Sequence, residues 1–252
     1  MAPGKLTLHH LKDSQSQLIL WPLEELGIEY ELVTHLRDAS GRAPAALRAV
    51  HALGKAPTLV TPSGRVLSER SAITLWLLHH YDEEGRPFRL PSCSSDADAE
   101  HRDDLAREEQ LMSVGSTTLH TPLLLKAVFG RMARQAPFLL RWVVVAIGGM
   151  LDSAFVDGEI RLVMTYLDGE LALPEKKEGE GEGEGKEREW FMGTKNPTRV
   201  DFSMMWYVDW AVRCGWLDIA QYPRVKAWRD RILERPAWKR SIEKTGGYDP
   251  NL

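Results

Sequence analysis

Cysteine is almost absent from this chain: Cys93 and Cys214 are the only two in 252 residues. Two thiols make neither a disulfide framework nor a zinc-ligand spacing, and a reducing compartment is the simplest home for such a protein. An excess of charge of one sign is lacking too. The formal net charge is -4, whereas a nucleic-acid binder normally presents a basic face, so no nucleic-acid partner is expected. The opening Met1-Ala2-Pro3-Gly4-Lys5 shows no secretory signal and leads straight into a strand-like segment. A long apolar run is also missing. Ala136 to Leu151 comes nearest, but it is shorter than the ~20 residues a spanning helix needs and contains Arg141, so it reads as a buried helix. Gly148-Gly149 weakens it further as a helix. His9-His10 and His79-His80 are adjacent pairs without metal-ligand spacing or a shared helical face, so no metal is expected.

What is present alternates between strand and helix signals over the first eighty residues. Lys5 to His9 reads as a strand with Leu6 and Leu8 on one face. A polar turn, Lys12 to Ser16, precedes an apolar helical run that ends at Leu26-Gly27, where glycine suits a C-terminal cap. Pro22 inside that run calls for a kink or a late helix start near Ser16. Ile28 to Leu36 reads as a second strand, and Pro44 opens a helix containing Leu47 and Val50. A β-α-β-α-β-β-α order then completes a mixed sheet covered by helices.

Glu83 to Ser95, rich in proline and glycine, reads as a linker, and the remainder of the chain reads as helical. Ala97 to Leu119 carries Leu105, Leu111 and Met112 on its apolar side. Glu175 to Glu189 alternates Glu, Gly and Lys with no apolar residue, so it cannot offset its ordering entropy and reads as a disordered insertion. Thr198 to Asp201 has the spacing of a reciprocal helix cap.

Gly54 to Val60 followed by Leu67 to Ile73 is the most informative stretch. It reads as a turn into a strand, a hairpin at Pro62-Ser63-Gly64-Arg65, a second strand, and a helix starting near Glu69. Proline cannot donate to a ladder. Pro57 therefore makes sense if a cis Ala56-Pro57 bond turns the main chain of Ala56 outward toward a ligand held by backbone hydrogen bonds.

The turn Asp13-Ser14-Gln15-Ser16, the Ala56-Pro57 loop, the Glu69-Arg70 corner, the Thr198–Asp201 box and the Tyr222 to Pro236 ending resemble, in order and spacing, a cytosolic-type glutathione S-transferase over nearly the whole chain. The stretch from Leu36 to Pro44 and the long insertion around residues 122–160 are similar to a branch common in fungi. The resemblance implies an α+β/α architecture. An N-terminal thioredoxin-like domain with a mixed four-stranded sheet spans 1–84, a linker spans 85–95, and an all-α domain spans 96–252, with 175–189 as a disordered acidic insertion. It also implies a cytoplasmic homodimer, with peripheral membrane contact left open.

The activity implied is conjugation of glutathione, a co-substrate, to a hydrophobic small molecule. A non-catalytic interaction protein of the same fold and a glutathione-dependent peroxidase are the alternatives. Ser14 lies nearest the family's thiol-activating position and Ser16 is the fallback, while helix capping alone is the bland reading of either. No cysteine stands in this turn, which argues against the thiol-transferase subgroup. For glutathione, the resemblance implies Lys55 on the glycyl carboxylate, the backbone of Ala56 before Pro57 on the cysteinyl unit, and Glu69 on the amine, with His51 and Arg42 as further candidates. Arg70 replaces the family's usual serine. It either pairs with the γ-glutamyl carboxylate or crowds the pocket. Leu11, Met112, Ser116, His120 and Trp206 are the expected lining of the electrophile pocket.

Overall fold

A computed structural model describes residues 4–82, 88, 99–172 and 187–249, with residues 99–102 described by backbone alone. The expected linker therefore lies outside the described residues except for Phe88, and so does most of the expected acidic insertion.

Alternation builds the first half. Strand β1 (Thr7–Leu11) runs parallel to β2 (Glu31–His35) and antiparallel to β3 (Thr58–Val60), which pairs antiparallel with β4 (Val66–Ser68). The order β2-β1-β3-β4 is the mixed four-stranded sheet expected from sequence. Leu6, Leu8 and His10 point to one buried face, as the two-residue period of a strand requires. Helices α1 (Gln17–Leu26) and α3 (Arg70–Tyr81) close that face with Ile19, Leu20, Leu23, Ile73 and Leu77. Helix α1 begins late, at Gln17, with Pro22 in its interior, and ends at Gly27 in the left-handed conformation. The connection after Gly27 shortens β2 relative to the expected Ile28–Leu36. A short helix α2 (Ala46–Val50) buries Leu47.

The second half is helical. Helix α4 (Ala99–Ser113) passes through a π-helical stretch, Val114–Leu119, into α5 (His120–Gln135). Helix α6 (Phe138–Leu151) continues through a second π-helical stretch, Asp152–Val156, into α7 (Asp157–Glu170). Then come α8 (Arg199–Arg213), α9 (Pro223–Glu234) and α10 (Pro236–Thr245), the last two opened by proline. Helix α8 is the hub, with thirteen of its fifteen residues buried.

The two halves share a core. Trp21 of α1 meets Phe202 of α8 edge-on at 4.6 Å and Trp238 of α10 at 5.7 Å. Burying one such side chain stabilises by roughly 1.5–3 kcal/mol. Polar ties reinforce the contact: Gln17 donates to the Ser241 carbonyl at 3.0 Å, Arg235 pairs with Glu25, and Arg240 and Lys244 both pair with Glu24.

Three expectations are corrected. Helix α6 is not buried: Phe138 is 88% exposed, Trp142 71% and Met150 70%. Only Gly148 is covered, where its backbone approaches Phe129 of α5. Among the described residues the apolar run leans chiefly on α5, and one contact line cannot cover an apolar cylinder. The helical run from Phe138 to Glu170 is long and apolar enough, by length and composition, to cross a membrane. Its second half, however, is anchored in the protein core by Ile160, Val163, Met164 and Leu167. Leu105 is exposed rather than on the buried face of α4. Residues 187–189, at the end of the expected disordered insertion, are held against α9. The Arg224 guanidinium lies 3.1 Å from Glu187, and Arg231 donates to the Glu189 carbonyl at 2.7 Å.

The cap of α8 concentrates buried polarity. The Asp201 carboxylate accepts the Thr198 amide at 2.7 Å and hydroxyl at 3.1 Å, the Phe191 amide at 3.2 Å, and the Trp228 ring N–H at 2.8 Å. Each buried donor left alone costs about 1–3 kcal/mol. Asp201→Ala is expected to destabilise the protein by at least about 3 kcal/mol, with Asp201→Asn recovering part of it. Urea unfolding at unchanged m checks this, and a loss below about 0.5 kcal/mol refutes the cap's role.

Candidate functional site

The two halves enclose a cavity of about 890 Å³, at the upper end of the ~300–1,000 Å³ typical of ligand pockets. One wall is built by the turns at the ends of the strands. The Ala56-Pro57 bond is cis, as expected, and Lys55, Ala56 and Pro57 line the cavity beside Ser68, Glu69 and Ser71. Glu69, at the start of α3, adopts φ 70°. A non-glycine residue held there costs roughly 1–3 kcal/mol, and such residues cluster at ligand clamps. Arg70 and Ser71, which open α3, line the same cavity, and a helix N-terminus is a ready site for a carboxylate.

The turn between β1 and α1 supplies a chain of hydroxyls. Asp13 takes φ 55°, and the Ser14 hydroxyl donates to the Leu11 carbonyl at 2.8 Å. Ser14 Oγ also lies 2.8 Å from Ser16 Oγ and accepts the Ser16 amide at 3.2 Å. Ser16 Oγ sits 2.7 Å from His10 Nδ1 and accepts the Leu11 amide at 3.0 Å. Ser14 lines the cavity. Ser16 does not: it is fully buried behind Ser14 and committed to His10 and Leu11. His10 is fully buried as well, and its Nε2 has no partner among the described residues. Burial lowers its pKa to about 4, so it is neutral at pH 7.

The opposite wall comes from the helices. Leu11, Ser116, His120 and Trp206 all line the cavity. Ser116 is placed there by the π-helical stretch, a distortion often found at functional sites. His120 packs near Tyr207 and Trp210, with ring centroids at 5.5 and 6.2 Å. Burial, then the charge of Arg70, lower its pKa, so it is a neutral imidazole at pH 7. Met112 belongs instead to the helical core, buried with Leu111, away from the cavity. His51 and Arg42 are not brought to the wall either. The His51 ring accepts the Leu53 amide at 3.3 Å, and Arg42 is exposed with its amide on Asp38.

Arg70 resolves in neither of the two expected ways. Its guanidinium turns onto α8, donating to the Ser203 carbonyl at 3.3 Å, the Ser203 hydroxyl at 3.2 Å and the Tyr207 hydroxyl at 2.5 Å. It also lies 4.9 Å from the Tyr207 ring centre, within cation–π range. It thus fastens α3 to α8 and forms part of the cavity wall. Sequence reading missed Arg37, Tyr207, Trp210, Cys214, Trp216 and Arg131, all on the lining. Trp210 stands four residues after Trp206, so a shared helical face was the available signal. Cys214 is no nucleophile, because burial pushes its pKa up to about 11. Among the described residues no cluster of His, Cys, Asp or Glu has the geometry to hold a metal ion.

Residues 14–80 match the profile of the glutathione S-transferase N-terminal domain. The chain is 28% identical over 239 residues to glutathione S-transferase 3 of Schizosaccharomyces pombe, covering 95% of this chain and 87% of that protein. It is 24% identical over 253 residues to glutathione S-transferase 1 of Saccharomyces cerevisiae, covering 98% of each. The crystal structure of a glutathione S-transferase from Actinobacillus pleuropneumoniae superposes with a TM-score of 0.69 at 26% identity, over 96% of this chain and 94% of that one. With the mixed sheet, the cis-proline loop and the helical second half in one chain, the protein is similar to glutathione S-transferases over nearly its whole length, and its residues 14–80 match their N-terminal domain.

Proposed function

We propose that the protein conjugates the thiolate of glutathione to an electrophile with an apolar body. The observation carrying this reading is that the Ser14 hydroxyl lines the same cavity as Lys55, the cis Ala56-Pro57 peptide and Glu69. In this reading Glu69 takes the γ-glutamyl amine. The first N–H groups of α3 with Ser71 take its carboxylate, the backbone of Ala56 pairs with the cysteinyl unit, and Lys55 meets the glycyl carboxylate. The second substrate packs against Trp206, Trp210 and His120. The non-catalytic alternative drew its support from Arg70 and from the acidic stretch 175–189. With that side chain drawn onto Ser203 and Tyr207, the ground offered by Arg70 is weakened, and the acidic stretch lies mostly outside the described residues.

The chemistry needs a thiolate. Lowering a thiol from ~8.5 by about two pH units takes ~2.7 kcal/mol of preferential stabilisation of the anion. A hydroxyl donating to charged sulfur contributes roughly 1.5–3 kcal/mol, and the N-terminus of α1 adds ~0.3–1. The thiol proton leaves to solvent, the carbon–sulfur bond forms, and the electrophile's leaving group or acceptor atom takes the electron pair. Ser14→Ala is expected to lower kcat/KM about 10- to 100-fold and to raise the pKa of bound glutathione by about one to two units, with the fold intact. Steady-state rates and ultraviolet titration of the bound thiol measure both. An unchanged thiol pKa would remove Ser14 from the reaction.

Behind Ser14, His10 sets the direction of the hydroxyl chain. An orphaned buried N–H is rarer than an orphaned acceptor, so the unpartnered Nε2 favours the tautomer protonated on Nδ1. That proton goes to Ser16 Oγ, Ser16 donates onward, and the Ser14 proton is free to swing from the Leu11 carbonyl to the sulfur. His10 titrates near 4 in the folded protein against 6.5 when exposed. Between these values the unfolded chain binds the extra proton, so stability falls as pH drops from 6.5 toward 4, by at most about 3 kcal/mol. In His10→Asn, whose amide donates from the Nδ1 position, that acid-side slope is expected to flatten by up to one proton. Equal slopes in wild type and variant would disprove a neutral His10.

We also infer that the exposed apolar face of α6 is covered by a second copy of this chain. Phe138, Leu139, Leu140 and Trp142 are all exposed on one short stretch of helix, and contiguous exposed apolar residues mark interaction sites. Light scattering is expected to give the mass of two chains, and Trp142→Asp with Leu139→Asp the mass of one. A wild-type monomer that sediments with lipid vesicles would overturn the dimer and make α6 a membrane-surface helix.

A further inference from the structure

The cavity holds more positive charge than its binding of glutathione uses. Its charged lining is Asp13, Arg37, Lys55, Glu69, Arg70, Lys126, Arg131 and Arg134. Lys55 and Glu69 belong to the tripeptide, and Arg70 is fastened to α8. Lys126 is neutralised by Asp152 at 3.0 Å and Asp157 at 2.9 Å. Arg134 has an interaction of its own. Arg37, just past the end of β2, and Arg131 of α5 both line the cavity, close enough for the charge of one to act on the other.

Neither of these two forms an ion pair with a carboxylate among the described residues. Arg37 donates to the carbonyls of Gly41 at 3.2 Å and Asp13 at 3.3 Å, so its guanidinium sits against the turn that carries Ser14. Its Nε is buried and has no hydrogen-bond partner among the described residues. Arg131 reaches over from α5 to donate to the Ser40 carbonyl at 3.1 Å. The loop makes room for it: a Cβ on Gly41, at φ +74°, would lie 2.6 Å from the Arg131 guanidinium. Burial and the nearby charge of Arg131 both lower the pKa of Arg37, the cost of holding two cations close together. The Asp13 carboxylate attracts Arg37 but accepts its own hydrogen bond from the Asp249 amide at 2.8 Å. Two guanidinium groups on the cavity lining, held by neutral carbonyls, leave terminal N–H donors for an oxyanion. Arg131 stands on the helix that also carries His120 and Leu124, the wall opposite the tripeptide's.

We propose that Arg37 and Arg131 form an oxyanion subsite on the electrophile side of the cavity, so that the second substrate is an amphipathic acid: an apolar electrophilic body carrying a carboxylate, sulfonate or phosphate. The proposal rests on the conjugation reading for the word substrate, while the subsite itself does not. The apolar body lies on Trp206, Trp210 and Trp216, and the acid group projects toward the two arginines.

The test uses 4-fluoro-3-nitrobenzoate and its methyl ester, which differ by one charge at the same reacting carbon. In either, sulfur displaces fluoride and the thiol proton goes to solvent. Wild type is expected to prefer the acid, and in Arg131→Gln the ratio of kcat/KM for acid over ester is expected to fall about tenfold or more, the worth of a charge-assisted hydrogen bond. Arg131→Lys keeps the charge without the fork and should fall between. Arg37→Gln serves as a second variant, secondary because it also loosens the Asp13 turn. An unchanged acid-to-ester ratio overturns the subsite. So does a matching rise in the KM of glutathione, which would assign the pair to the glycyl carboxylate. If wild type conjugates neither compound, the conjugation reading has failed on its own. Quenching of the cavity tryptophans by the benzoate then still decides. Binding about tenfold weaker in Arg131→Gln supports the subsite, and equal affinity overturns it.

Discussion

Helix α1 has almost no face of its own, and the rest of the molecule depends on that. Ile19, Leu20 and Leu23 pack under the sheet, while Leu18 and Trp21 enter the helical core. Gln17, Glu24 and Glu25 are tied to α10 and to Arg235 just ahead of it. A helix gripped from three sides cannot shift along its axis without breaking two cores at once. Its first turn therefore holds Ser14 at a fixed position relative to both halves. Preorganisation of this kind separates a hydroxyl that stabilises an anion from one that merely caps a helix.

The same economy explains Arg70. A serine at that corner would serve only a ligand, and would leave α3 and α8 to meet through apolar contacts. The guanidinium instead spans the two halves, with Ser203 and Tyr207 as its seat. Helix α8 can supply that seat because it is itself rigid: Asp201 fixes its start, and Asp209 holds Arg213 and Arg229 near its end. The Asp201 and Asp209 carboxylates buried in this hub are each satisfied by several donors, so they specify a single arrangement rather than weaken the core.

Much of this was legible in the residues, and what was not has a common cause. Pro57, Glu69, Ser14 and the Thr198–Asp201 cap could be read because each works through backbone geometry at its own position. The strand reading stopped at His9 and so missed His10, whose buried partner Ser16 the adjacent-pair reading of His9-His10 also hid. Arg37, Arg131, Trp210 and Trp216 were silent because they matter only through where β2, α5 and α8 meet. Met112 was misplaced by one helical face for the same reason. For α6, apolarity suggested burial, but apolarity says only that a side chain gains from cover. It does not say whether the chain's own neighbours supply that cover.

The electrostatics of the cavity bind these threads together. Titratable groups near the reacting turn are kept from adding stray charge. His10 and His120 are driven neutral by burial, and Cys214 is driven to remain a thiol. Three permanent cations that cannot neutralise are each given a neutral seat: carbonyls for Arg37 and Arg131, hydroxyls and a carbonyl for Arg70. A carboxylate on any of them would quench the field, because an ion pair looks nearly neutral from a few ångströms away. Carbonyl seats hold the guanidinium groups in place and leave the field intact. The cavity then has a standing positive potential, which on the reading proposed above is completed by the carboxylates and thiolate of glutathione and by an acidic group on the second substrate. A site built this way binds by completing its own charge balance, which favours the thiolate over the thiol without a base.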